Sequence, residues 1–235
     1  MRDMSLENLS SSAWQTKPTD RFVLKWIKCH LSARITPRAA TIPWLRPWMI
    51  TVSSTAVGMA AGAVFAMGWG LLAGLLAAVS QVLDGVDGQF ARLTGQQSRA
   101  GAFLDSVLDR YSDGALVIGL TVFSLGLDVP AWLVGTLGSL ALIGSGNISY
   151  SSARAESLGI RLGRPTLASK GTRTTVTALS GLASPFVPVM PLIALCYLVL
   201  HTSVVVLYRI GRAYGTAGPD PDPNNRPDTK PLSEK

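Results

Sequence analysis

Apolar positions in this chain run in long unbroken blocks. No Asp, Glu, Lys or Arg occurs from Pro47 to Leu83 or from Thr174 to Tyr208, and between Gly114 and Ala153 the only charge is Asp128. One membrane span needs about 20 apolar residues, so each block is long enough for two. The blocks divide at Gly68-Trp69-Gly70, Gly126-Leu127-Asp128-Val129-Pro130 and Ser184-Pro185-Phe186-Val187-Pro188, whose glycines and prolines are turn residues. The pattern predicts an all-α integral membrane protein with six transmembrane helices, at 46–68, 70–93, 100–125, 130–153, 171–184 and 189–213.

Ahead of the first span, 20–36 reads as a basic amphipathic helix. Phe22, Val23, Trp26, Ile27, Leu31 and Ile35 recur at helical spacing among Arg21, Lys25, Lys28 and Arg34. Such a helix beside a span lies in the membrane interface, its basic side chains reaching toward anionic headgroups. Residues 1–19 read as a flexible N-terminus, and 215–235, with five of the 14 prolines, as a disordered tail. Between them lies one membrane domain, 20–214. Gly58 and Gly62 form a small-x-x-x-small pair, followed by Gly70, Gly74, Gly135, Gly138, Gly144 and Gly146, as expected of closely packed helices in lipid.

Composition agrees with a membrane protein. Charged residues make up 15% of the chain and hydrophobic ones 48%, whereas soluble domains carry about 25% charge. The net charge of +7 would suit a nucleic-acid partner, but its distribution argues for a membrane instead. All 21 basic residues fall in the N-terminal segment, 92–110, 154–173 or the C-terminal end, and the three turns named above contain none. Six spans put those four segments on one side, which the positive-inside rule makes cytoplasmic, with both termini there. Cys29 and Cys196 supply neither a disulfide framework nor a zinc site. The first apolar run begins near Pro43, so 1–40 does not read as a signal peptide.

Five acidic residues break the apolar pattern: Asp84, Asp87, Asp105, Asp109 and Asp113 all adjoin or lie within predicted spans. An Asp at a helix centre costs about 2.5–3.5 kcal/mol, so four together cost on the order of 10 kcal/mol before mutual repulsion. Divalent cations held by oxygen ligands would offset that. Asp84, Asp87, Gly88 and Ala91 share a face at the end of the second span, and Gly101, Asp105 and Asp109 share one at the start of the third. An antiparallel hairpin through 93–100 lets both pairs of carboxylates converge on one pocket near the cytoplasmic surface. Pairing with Arg92, Arg99 and Arg110 is the alternative, and it suits Asp113 at the bundle end. Three arginines cannot neutralise the other four carboxylates and also share their face.

These residues carry a resemblance. Asp84-Gly-Val-Asp87-Gly88-Gln-Phe-Ala91-Arg92, eight further residues, then Gly101-Ala-Phe-Leu-Asp105-Ser-Val-Leu-Asp109 matches every fixed position of the CDP-alcohol phosphotransferase signature. Six spans, an interfacial N-terminal helix and a basic fourth-to-fifth loop are also similar to that family. Its members transfer a phospho-alcohol group from a CDP-alcohol to a second alcohol and release CMP.

The resemblance implies two Mg²⁺ or Mn²⁺ ions, one on Asp84, Asp87 and Asp105 and one on Asp84, Asp105 and Asp109. It implies that Asp109 is the catalytic residue, taking the proton from the acceptor hydroxyl. It places the CDP group on Gly88, Ala91, Arg92, Ser98 and Gly101 and on Pro47, Trp48, Met49 and Ile50 at the start of the first span. Relatives usually have Pro-Asn where this chain has Pro47-Trp48. The fourth-to-fifth loop carries Arg154, Arg161, Arg164, Lys170 and Arg173 against a single acid, Glu156. Positive-inside loading accounts for some of them. Arg154, Lys170 and Arg173 flank spans, so they are the candidates for an acceptor-phosphate clamp.

Lys17-Pro-Thr-Asp20, Ser32-Ala-Arg-Ile-Thr36 and Leu108-Asp-Arg-Tyr-Ser-Asp113 resemble the branch of di-myo-inositol-phosphate-phosphate synthases. Residues 150–164 resemble phosphatidylinositol-phosphate synthases. The expected donor is therefore CDP-diacylglycerol or CDP-inositol, and the expected acceptor a phosphorylated polyol such as inositol phosphate. Membrane lipid and a second copy of the chain, as a homodimer, are the further expected partners. A cation transporter built on the Asp cluster is the alternative from another class. It leaves Gly88, Ala91, Arg92 and Gly101 at these spacings without a purpose.

Overall fold

Helices form where the uncharged blocks predict them. The structure, a computed structural model, describes residues 28–160, 162 and 170–216. The expected flexible N-terminus, the first part of the interfacial helix, Arg161, Arg164 and the tail beyond 216 lie outside the described residues. A π-helical turn, Lys28–Ser32, leads into α1 (Ala33–Ala40). There follow α2 (Pro47–Ala66), α3 (Gly70–Leu93), α4 (Arg99–Leu125), α5 (Ala131–Ser157), α6 (Lys170–Ala183) and α7 (Met190–Thr216). Helix α7 thus continues through Gly215, where the disordered tail was expected to begin.

Four of these helices, α2, α3, α5 and α7, are long and apolar enough to cross a membrane. Helix α4 has the length, at 27 residues, but carries Arg99, Asp105, Asp109, Arg110 and Asp113 between its start and its middle. Helix α6 has 14 residues, which reach about 21 Å at 1.5 Å per residue, short of a hydrocarbon core of about 30 Å. The chain is an all-helical membrane protein among the described residues.

The amphipathic segment is longer than 36, reaching Ala40 through Pro37, and its small polar residues point inward. Ser32 and Thr36 are fully buried, while Leu31 and Ile35 are exposed. Ser32 Oγ donates to Val82 O at 2.9 Å, and Thr36 Oγ1 to Gln89 Oε1 at 2.9 Å. The segment is therefore anchored to α3 by hydroxyls and turns Leu31 and Ile35 outward together with Arg34 and Arg38, a mixed surface suited to a membrane interface.

Packing positions the hairpin that carries the acidic residues. Helix α2 lies along both α3 and α4, α6 covers α3, and α5 joins α4 to α7. Two glycine crossings set the spacing. A Cβ on Gly119 would come within 2.8 Å of the Gly62 Cα, and one on Gly181 within 2.6 Å of Gly70 O. Close approach of this kind is what holds helices together where lipid tails are as apolar as the side chains. Gly135 and Gly146 meet nothing within 4 Å and have no such role. Alanines (Ala61, Ala73, Ala77, Ala141, Ala178) line the core around the fully buried Phe65. The Phe65 ring meets Phe123 edge-on, with centroids 6.2 Å apart at 88°.

The α3–α4 connection is built to reverse the chain. Gly95 takes a positive φ of 66°, and Gln96 N donates to Ala91 O at 2.9 Å while Gly95 N donates to Arg92 O at 3.4 Å. That double closure is a Schellman motif, and the left-handed residue within it favours glycine. Ser98 then caps α4, its Oγ accepting from Gly101 N at 3.0 Å.

Candidate active site

The acidic residues of α3 and α4 converge as their spacing requires. Asp84, Asp105 and Asp109 each offer a carboxylate oxygen, and the three oxygens lie within 4.8 Å of one another. At an effective dielectric near 20, each such pair repels by roughly 3 kcal/mol. The oxygens are held together by helix register: Asp105 and Asp109 are one turn apart on α4, and the hairpin brings Asp84 opposite them. Asp87, one turn further along α3, is buried. It accepts from Thr51 Oγ1 of α2 at 2.8 Å and from the Gly88 backbone N–H.

A positive group already sits in this cluster. Lys170, the first residue of α6, donates to Asp84 Oδ1 at 2.6 Å and also to Asp109 Oδ1. One turn along, Arg173 donates to Asp113 Oδ2 at 2.6 Å, and both groups of that pair are buried. Arg110 lies 3.7 Å from Asp109 and 3.8 Å from Asp113. Asp113 is thus satisfied at the bundle end, as expected, but chiefly by an arginine from another helix.

Asp87 and Asp105 also border a cavity of about 450 Å³ between the start of α2 and the α3–α4 hairpin. Pro47, Trp48, Gly88, Ala91, Arg92, Ser98 and Gly101, seven of the residues expected at CDP, line it. Gly88 leaves open space there: a Cβ would meet only the Arg92 guanidinium, at 3.5 Å. Met49 and Ile50 do not line it. Ile50 is buried against Val86 and Phe90, so it packs α2 on α3. Thr51, Arg46, Gln96 and Gln97 line the cavity as well, with Arg46 Nη1 donating to Gln96 Oε1 at 3.3 Å. Nothing in the local pattern marks Thr51, an ordinary small polar residue in a span, as a partner of Asp87.

The three candidates for an acceptor-phosphate clamp do not act as one group. Lys170 faces the carboxylates, Arg173 is buried on Asp113, and Arg154 is exposed near the end of α5. Arg209 of α7 was not anticipated. It donates to the Ile148 carbonyl and, at 2.8 Å, to Ser151 Oγ, joining α7 to α5.

The donor set fits a hard divalent cation, because all four carboxylates supply oxygen and no sulfur or imidazole joins them. The Lys170 ammonium between Asp84 and Asp109 is a stand-in that reports how strongly the position favours positive charge.

Known proteins resemble this chain in sequence and in fold. The CDP-alcohol phosphatidyltransferase family model matches residues 44–211. Archaetidylinositol phosphate synthase of Pyrococcus horikoshii is 34% identical over 138 residues, which cover 59% of this chain and 70% of that protein. The bifunctional IPC transferase and DIPP synthase of Thermococcus kodakarensis is 34% identical over 131 residues, 55% of this chain but 29% of that longer protein. Phosphatidylinositol phosphate synthase of Mycobacterium tuberculosis, in its crystal structure with CDP-DAG bound, superposes with a TM-score of 0.70 at 25% identity, covering 80% of this chain and 96% of that one. With a full signature, a shared fold and a matching family model, the chain is a transferase and belongs to the CDP-alcohol phosphatidyltransferase family.

Proposed function

We propose that the chain transfers a phospho-alcohol group from a CDP-alcohol to a phosphorylated polyol, releasing CMP, at a site on the cytoplasmic face of a six-helix membrane domain. The observation that carries this reading is the juxtaposition of the Asp84, Asp105 and Asp109 oxygens with the cavity lined by Asp87, Gly88 and Arg92. A diphosphate seated there would have its nucleotide toward α2 and its reacting phosphorus toward α4. The M. tuberculosis relative was also solved in complex with manganese and citrate, which supports Mn²⁺ or Mg²⁺ as the ion here.

Asp84, Asp87 and Asp105 would hold one ion, and Asp84, Asp105 and Asp109 the second. When bound, the ions neutralise the diphosphate and stabilise the departing CMP oxygen. Asp109 accepts the proton of the acceptor hydroxyl, which requires the two oxygens to come within hydrogen-bond reach. Thr51 holds Asp87 in one rotamer through its hydroxyl, and the open space at Gly88 admits the nucleotide against backbone. Arg92 faces the diphosphate from the last turn of α3. Arg154, exposed near the end of α5, meets the acceptor phosphate.

The concentration of basic residues beside the hairpin supports a cytoplasmic site. The six-span reading takes α4 and α6 as crossing helices although they are less apolar or shorter than the other four. Asp113 of α4 and Arg173 of α6 are buried in the bundle and paired with each other, so these charges need not face lipid.

CMP release from the purified protein with Mg²⁺ or Mn²⁺ tests this. CDP-diacylglycerol and CDP-inositol are each tried with inositol phosphate, glycerol 3-phosphate and free alcohols. Metal-dependent CMP release is expected with one donor and a phosphorylated acceptor. Release with free inositol but not its phosphate would overturn the acceptor assignment.

A further inference from the structure

We propose that Lys170 is the internal counter-cation of the catalytic carboxylates and competes with the divalent ion for Asp84 and Asp109. This rests on the metal-site reading above and adds to it a residue that sets the site's affinity.

The geometry carries the inference. The Lys170 ammonium lies 2.6 Å from Asp84 Oδ1 and is hydrogen-bonded to Asp109 Oδ1 as well. Those carboxylates belong to the cluster that a metal would occupy. An ammonium offers only donors and a carboxylate only acceptors, so each oxygen bonded to Lys170 has less capacity for a cation. A compact charge on a four-carbon stem can leave by rotamer changes without moving α6. The neighbouring Arg173 is not equivalent. Its side chain is 5% exposed and its partner Asp113 is not in the cluster, whereas the Lys170 side chain is 23% exposed.

The consequence is a site whose negative charge is partly offset while it waits for metal. Lys170 offsets the repulsion among three carboxylates that helix register forces together. Metal binding must displace it, and the displaced ammonium then lies beside the reaction centre as a free positive charge.

Two measurements test this with purified protein and Mn²⁺ alone. The first is Mn²⁺ affinity from the free-ion EPR signal. Lys170→Met is expected to bind Mn²⁺ at least about tenfold more tightly than wild type, because a competitor has gone. Lys170→Arg is expected to return affinity to within about threefold of wild type. A general structural role for Lys170 would weaken binding in the Met variant, and unchanged or weaker binding there overturns the proposal. The second uses the wild type, so it does not depend on a variant folding. The labelling rate of Lys170 by an amine-specific acylating reagent, read by mass spectrometry, should rise at least threefold as Mn²⁺ saturates the site. A rate that stays flat across saturation overturns the proposal while leaving the metal site standing. No Mn²⁺ binding by the wild type or by Lys170→Met overturns both readings together.

Discussion

Two ion pairs one turn apart join α6 to α4, and they do different work. Lys170 and Asp109 meet in the carboxylate cluster, where Asp84 shares the ammonium and both carboxylates are 17% exposed. Arg173 and Asp113 meet one turn deeper, both almost wholly buried. In the deeper pair Asp113 lies against Arg173 and near Arg110, so it can be satisfied completely and act as a strut. The outer pair has more negative than positive charge around it and room beside it, so it stays open to another cation. Same-sign residues at positions 170 and 173 on one helix are therefore unlike in function. Burial and local charge balance decide between them, not residue type.

Asp109→Asn should break the outer side of this comparison most severely. Loss of a general base and a metal ligand together should lower CMP release by at least about 10³-fold, with the thermal melt in detergent little changed. Asp84→Asn and Asp105→Asn should behave alike. Substantial turnover in Asp109→Asn would remove that residue from the proton-transfer role.

Arg173→Met should break the inner side, and through stability rather than chemistry. Leaving a buried carboxylate without its partner costs about 3–5 kcal/mol. The lower end is expected here because Arg110 also lies 3.8 Å from Asp113. Denaturation of the detergent-solubilised variant measures this, and Arg173→Met combined with Asp113→Leu should recover most of the loss. If the double variant is no better than the single, the pair is not a matched strut.

Arg154→Ala sharpens the comparison by removing an exposed basic group with no carboxylate partner among the described residues. One charge-assisted hydrogen bond is worth about 1.5–3 kcal/mol, so KM for a phosphorylated acceptor should rise at least about tenfold with the CDP-alcohol KM unchanged. Equal increases in both would mean that Arg154 organises the whole pocket.

The smallest effect is expected at Trp48, half exposed at the cavity's edge. An aromatic contact contributes about 1 kcal/mol, so Trp48→Ala should weaken CMP binding about fivefold by calorimetry. Unchanged binding would leave Trp48 as an interfacial anchor only.

Much of this protein was legible before any tertiary contact was known. The ranges 70–93 and 100–125 anticipate α3 and α4 to within one residue, because uncharged runs and turn residues act locally. The Asp84, Asp105 and Asp109 cluster was legible for a similar reason. Helical periodicity fixes which side chains share a face, and a five-residue loop leaves a hairpin little choice of direction. Met49 and Ile50 do not line the cavity that their neighbours Pro47 and Trp48 line, because consecutive residues on a helix cannot all face one side.

What the sequence by itself determined is therefore the set of long helices, the membrane character of the chain and the meeting of three carboxylates, Asp84, Asp105 and Asp109. Those follow from hydrophobic run length, glycine and proline punctuation and the 3.6-residue turn. Only the tertiary structure decided who neutralises whom. Lys170 reaches Asp84 across 86 positions, Arg173 reaches Asp113 across 60, and Thr51 reaches Asp87 across 36. Such partnerships depend on which helices pack together and how deeply each charge is buried, and no local spacing encodes either.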